Sequence, residues 1–181
     1  MNVDRLRKQN DEVFYADEAI VRFGSEEIEF VKRQAAASPR RRARICAHLF
    51  ATDRLHEMLI ALKSDGFIRP HKHLARVESF QVFEGSADVV VFDDDGQVID
   101  VVAMSDQGPA VRMYRLNASR YHTVIVRSPF FVVHETTLGP FDTADTVFAP
   151  WSPTGDDPIA AAAFTQGLEE SVRTFLAGSP R

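Results

Sequence analysis

Between Arg44 and about Thr137, apolar residues come in short runs rich in Val, Ile and Phe, broken by Gly, Pro and Asp at strand-and-turn intervals. That texture predicts an all-β body. Val89 to Phe92 and Val98 to Val102 flank Asp93, Asp94, Asp95 and Gly96, which reads as a hairpin whose Asp-Gly supplies the positive φ angles of a tight turn. The aspartates read as a solvated turn, because a calcium loop needs further oxygen ligands at set spacings that are missing here. Before this body, Ser25 to Ala37 predicts a helix: Ser25 can cap it, Glu26 and Glu27 suit its positive end, and Ile28, Val31 and Ala35 share a face. Ser38-Pro39 stops it. Val13, Phe14 and Tyr15 form an apolar patch in a polar arm, expected to lie on another surface, an intersubunit contact among the options. After Pro153, residues Ala160 to Leu176 predict a second helix, with Phe164, Leu168, Val172 and Phe175 on one packing stripe.

These elements divide the chain into an arm and helix over residues 1–42, a barrel over 43–152 and a helical tail over 153–181, forming one structural domain overall. The 181 residues suffice for a proper core, and 45% hydrophobic with 26% charged residues is ordinary for a globular protein. A net charge of -5 argues against general affinity for nucleic acid, so Arg40, Arg41, Arg42 and Arg44 read as a solvated loop entering a strand. A small molecule is the expected partner. Cys46 is the only cysteine, which excludes an intramolecular disulfide. The sequence from Met1 to Arg5 lacks the apolar core of a signal peptide and no run approaches membrane-spanning length, so a cytoplasmic location is expected, without a membrane partner.

The chemistry concentrates in Gly66-Phe67-Ile68-Arg69-Pro70-His71-Lys72-His73. Two histidines two positions apart leave the same face of a strand, whereas a helix would splay them. Glu78 follows four residues after His73, enough for a tight turn into a strand that Glu84-Gly85 ends. Two imidazoles and a carboxylate suit one divalent transition metal (Fe, Mn, Ni, Co or Zn) and disfavour Ca or Mg, which want mostly oxygen. His122 completes the set if its strand lies beside this hairpin, a point periodicity leaves open. Arg69 shares parity with His71 and His73, and Arg120 with His122, so each is a candidate anchor for a carboxylate or phosphate, against a salt bridge or solvated rim. Arg44 joins that substrate-binding set if it points inward. His48, His56 and His134 read as core or rim histidines. Glu135, Tyr114 and Tyr121 are eligible for proton transfer, but nothing in the pattern separates them from ordinary barrel residues.

Gly66, His71, His73, Glu78 and Gly85 together resemble the first motif of the cupin superfamily. His122 falls where that superfamily's second motif has its histidine, although Asn117-Ala118-Ser119-Arg120-Tyr121 lacks the usual Pro-x-Gly and Val126 stands where an asparagine is common. Arg40 to Cys46 with His48, then His56 to Ile60, Gly139-Pro140-Phe141 and Phe148 to Trp151, look like the WbuC-type cupin metalloproteins over nearly the whole chain. The resemblance implies a double-stranded β-helix (jelly-roll barrel) with an N-terminal helix and a short C-terminal helix. It also implies a link to bacterial surface-polysaccharide (lipopolysaccharide) synthesis.

Four protein ligands would leave one or two positions of a five- or six-coordinate ion open to a ligand. The leading expectation is a metal-dependent enzyme of isomerase, epimerase or lyase type, acting on a small anionic or sugar-derived molecule. A noncatalytic carbohydrate-binding or sensing module and a non-haem dioxygenase are the alternatives, and the residues alone do not choose a reaction. A homodimer is expected, because such barrels have exposed sheet edges that the apolar arm segment could cover.

Overall fold

The computed structural model describes residues 2–178. After a 3-10 turn at Val3–Arg5, the arm contributes β1 (Arg7–Lys8) and β2 (Val13–Tyr15), and α1 follows over Ser25–Ala37. The barrel strands are β3 (Arg42–Cys46), β4 (Leu55–Lys63), β5 (His71–His73), β6 (Glu78–Glu84), β7 (Ser86–Phe92), β8 (Val98–Ser105), β9 (Met113–Leu116), β10 (Tyr121–Val126), β11 (Phe130–Leu138) and β12 (Thr146–Phe148). α2 (Pro158–Gly178) closes the described chain. The strands form two facing sheets, one ordered β1-β2-β3-β4-β11-β6-β9 and the other β12-β5-β10-β7-β8. The result is a jelly roll.

Strand alternation sorts the side chains into three apolar layers. Between the sheets lie Met58, Ile60, Leu62, Phe80, Val82, Val89, Met104, Phe131 and Val133. On the outer face of the seven-stranded sheet, α1 buries Val31 and Ala35 against Ala43, Ile45, Leu59, Ala61 and Val132. The outer face of the five-stranded sheet is covered by α2, whose Leu168 and Val172 meet Val90, Phe92, Tyr121 and Ile125. Two helices therefore blunt the outside, and the polar residues left facing inward acquire meaning. Among the described residues no helix is long and apolar enough to cross a membrane.

Several local expectations change. Ser25 does not cap α1: it is the first helical residue, Gly24 holds the cap position, and the Glu27 carboxylate accepts the Gly24 N–H at 2.8 Å. Val13–Tyr15 is not a free strand awaiting a second subunit, because it pairs in parallel with β3 and antiparallel with β1, burying Phe14 and Tyr15. At the β7–β8 turn only Gly96 takes a positive φ (87°), while Asp93 Oδ1 accepts the N–H groups of Asp95 and Gln97. A β-carbon at Gly96 would come within 2.9 Å of the Trp151 ring, so the turn and the β12 segment fit each other. α2 spans 21 residues, two beyond the expected Ala160 to Leu176 at each end.

Candidate metal centre

β5 and β10 are neighbours, and their register sets His71 directly opposite His122. His73 lies two residues on from His71, on the same inward face. The rings of His71 stand 4.6 Å from His122 and 5.2 Å from His73, and one ligating nitrogen from each of the three lies within 4.8 Å of the others. Glu78 arrives from the opposite sheet, as the first residue of β6. Its Oε1 is 3.0 Å from His122 Nε2 and its Oε2 3.5 Å from His73 Nε2. The turn joining His73 to Glu78 is braced by Asp145, whose side chain accepts the Ala75 N–H and pairs with Arg76.

The other ring nitrogen of each histidine has a partner. His71 Nδ1 lies 2.9 Å from the Arg69 carbonyl and His122 Nδ1 lies 3.0 Å from the Arg120 carbonyl. A carbonyl only accepts, so both Nδ1 atoms carry a proton and both Nε2 atoms face the centre. Burial would lower His122, but the charge and hydrogen bond of Glu78 outweigh it and raise it, so without an ion its Nε2 donates to that carboxylate and a metal would take the place of that proton. His73 Nδ1 faces the Thr146 hydroxyl at 3.3 Å. Ligand histidines are commonly oriented this way from behind. Burial and the neighbouring His122 push His71 down to about 4, which keeps it neutral near pH 7. Burial would raise Glu78, but the charge and hydrogen bond of His122 and the hydrogen bond of His73 outweigh it and hold the carboxylate ionised. The Tyr114 hydroxyl donates to Glu78 Oε1 at 2.9 Å, and burial followed by that carboxylate's charge pushes the phenol far up, so it serves as a donor. Three imidazole nitrogens and a charged carboxylate facing one point are a fit for a divalent transition metal.

The remaining candidates separate. Arg69 lies outside β5, before Pro70, and its guanidinium turns to Ser152 Oγ (3.1 Å) and the Ala149 carbonyl (3.3 Å) while stacking over Phe148. Its donors latch the segment after β12 to the barrel, contrary to the parity argument, because the strand does not extend back through Pro70. Arg120 is exposed and contributes its carbonyl to His122. Arg44 does point inward. His48 and His56 stack at 3.9 Å at the barrel end, and His134 lies against Phe83 and Phe23 on the outer face. Tyr121 is buried beneath Trp151. Glu135 shares the inward face with Met58 and Phe80, its partners across β4 and β6. Burial and then Glu78 raise its carboxyl to about 7. Arg42 also faces inward, drawn down to about 10 by burial and the adjacent Arg40 and Arg44. Sequence reasoning missed Arg76, whose guanidinium lies 3.5 Å from His73 Nδ1, because its partner Asp145 is 69 residues away.

A mutant of salicylate 1,2-dioxygenase from Pseudoaminobacter salicylatoxidans, solved with gentisate, superposes at a TM-score of 0.53, with 14% identity over 71% of this chain and 37% of that one. The fold is a cupin fold. The cupin domain of Cnp3 from Schizosaccharomyces pombe also matches (TM-score 0.42, 12% identity, 57% of this chain and 66% of that one). So does KdgF from Halomonas sp. (TM-score 0.43, 14% identity, 57% of this chain and 82% of that one). A family described as a domain of unknown function (DUF6016) matches residues 23–104. No curated protein matches this sequence. In this cupin barrel the three histidines come from one sheet and the glutamate from the other, so the candidate centre spans the interior at one end.

Proposed function

We propose that this chain is a metal-dependent enzyme of isomerase, epimerase or lyase type acting on a small anionic or sugar-derived substrate. His71, His73, His122 and Glu78 would hold one divalent ion. The convergence of three imidazole nitrogens within 4.8 Å, with Glu78 against two of them, carries the reading. When bound, such an ion supplies Lewis acidity. The chain supplies orientation: Arg69 and Arg120 carbonyls fix two imidazoles, and Tyr114 fixes Glu78. Glu135, on the same inward face and near neutrality, can give or take a proton. Ionisable groups lining the space beside the centre favour an enzyme over a noncatalytic carbohydrate-binding module, which has no use for an acid or base there.

The WbuC-type likeness supports a sugar-derived substrate, cytoplasmic residence and a place in surface-polysaccharide synthesis. A homodimer belongs to the same proposal, now on a different basis: the exposed side chains of Phe50, Leu55, Leu138 and Phe141 cluster where β4 and β11 end. Light scattering should give a dimer at micromolar concentration, and a monomer removes that element. The function itself is tested by elemental analysis of protein purified without an affinity tag, followed by turnover screening with nucleotide sugars and sugar phosphates. We expect one transition-metal ion per chain. Metal-free protein that takes up no ion on reconstitution refutes the proposal.

A further inference from the structure

Arg44 sits on the inward face of β3, opposite Ile60 of β4. Among the described residues the only hydrogen-bond partner of its guanidinium is the Met58 sulfur, 3.8 Å from Nη1, and no carboxylate oxygen lies within 4.0 Å of it. Met58 is also the cross-strand partner of Glu135. The Glu135 carboxyl likewise makes no hydrogen bond or ion pair among the described residues, although it faces the interior between Met58 and Phe80. Both side chains are half-buried in mid-strand, so each keeps accessible surface bordering space on the inward face. Phe80 pairs with Tyr114, whose hydroxyl reaches Glu78, and this joins the space to the metal centre.

A guanidinium offers five donors, and a thioether is a poor return for removing them from bulk water. A carboxylate without donors carries the same kind of cost. Had the two been present only to stabilise the barrel, they would form an ion pair; instead no Glu135 oxygen comes within 4.0 Å of the Arg44 guanidinium, on the same inward face. A ligand with an oxyanion at one end and a hydroxyl nearby would satisfy both. Charge narrows the anion: Glu78 and Glu135 are the acids on this face, Arg42 has Glu12 at 3.9 Å although its Nε makes no hydrogen bond, and Arg44 is the cation with no carboxylate oxygen within 4.0 Å. With Glu78 given to the ion, a single guanidinium beside the Glu135 carboxyl matches one carboxylate with a neighbouring hydroxyl, whereas a phosphate dianion would set a second charge against Glu135.

We propose that the barrel interior beside the histidines binds a small hydroxycarboxylate, with its carboxylate on Arg44, its hydroxyl donating to Glu135 and its carbon skeleton reaching the metal centre. This names the substrate class of the enzyme proposed above and rests on that reading. Titration calorimetry on the metal-loaded full chain with glycerate, propionate and glycerol 3-phosphate tests it. Glycerate should bind in the millimolar range or tighter, and at least roughly tenfold better than either of the others. Arg44→Gln should weaken glycerate roughly ten- to hundredfold with metal content unchanged, and Arg44→Lys should recover part of the loss. Glu135→Leu should abolish the preference for glycerate over propionate. In metal-free protein Arg44→Met should melt at or above the wild-type temperature, since an arginine kept for a ligand contributes nothing without it. Unchanged glycerate affinity in Arg44→Gln would mean chelation by the ion alone and overturn the proposal. So would a preference for glycerol 3-phosphate, no binding at millimolar concentration, or a melting temperature several degrees lower in Arg44→Met. Should the protein bind no metal yet bind glycerate through Arg44, the pocket stands and the metal-enzyme reading falls.

Discussion

Glu12 shows how single residues hold the barrel in register. Its carboxylate accepts from Ser38 Oγ and Arg40 Nε, each at 2.8 Å, and its carbonyl accepts the Arg44 N–H at 2.8 Å, so it joins the arm to the end of α1 and the start of β3. Burial would raise its pKa, but the bonds from Arg40 and Ser38 and the charge of Arg42 bring it below 4.5. A carboxyl lowered on folding adds stability above its unfolded pKa, and that stability is lost as the pH falls through the folded value. Glu12→Gln should therefore cost about 1–3 kcal/mol near neutral pH, with the exposed Arg40 contributing least, and the difference from wild type should shrink below about pH 4. Urea unfolding at both pH values measures this. At this scale much of the metal centre was legible, because His71, His73 and Glu78 carry their spacing within a few residues. The arginines were not. Arg69 and Arg44 have similar credentials in the sequence, but whether Pro70 ends a strand, and which face of β3 is covered by α1, are decided by residues far along the chain.

The two helices act as covers, one for each sheet. Leu168 and Val172 of α2 are buried against Val90, Phe92, Tyr121 and Ile125, on the side of the sheet away from the histidines. Leu168→Ala should cost about 2–5 kcal/mol through lost burial and the cavity left behind, while metal stoichiometry stays at the wild-type value. Parallel melting and elemental analysis check both halves, and a loss of metal would show that the outer layer shapes the site. The α1 limits and the β7–β8 hairpin could be read from local signals, namely Ser38-Pro39 and Asp95-Gly96. The arm strands could not. Val13 to Tyr15 has the same apolar texture whether it pairs within the chain or with a second one, and only the Glu12–Ser38–Arg40 junction brings it to β3.

Across the whole molecule, the jelly roll places three imidazoles on one sheet and a carboxylate on the other, and the register of β5 against β10 makes them meet. That pairing joins residues about fifty positions apart, so the first-motif spacing could suggest a centre but His122 needed the fold. Inward polar residues continue from the centre along the barrel through Tyr114 and Glu135 to Arg44 and Arg42, beside an apolar core. The central claim, that these four residues hold one ion, is tested most directly by X-ray absorption on protein reconstituted with a single transition metal. The predicted spectrum has a nitrogen and oxygen first shell at about 2.0–2.2 Å with outer-shell scattering from imidazoles, diminished or lost in His71→Ala and His122→Ala. A first shell without imidazole scattering, or one unchanged in both variants, would contradict the account.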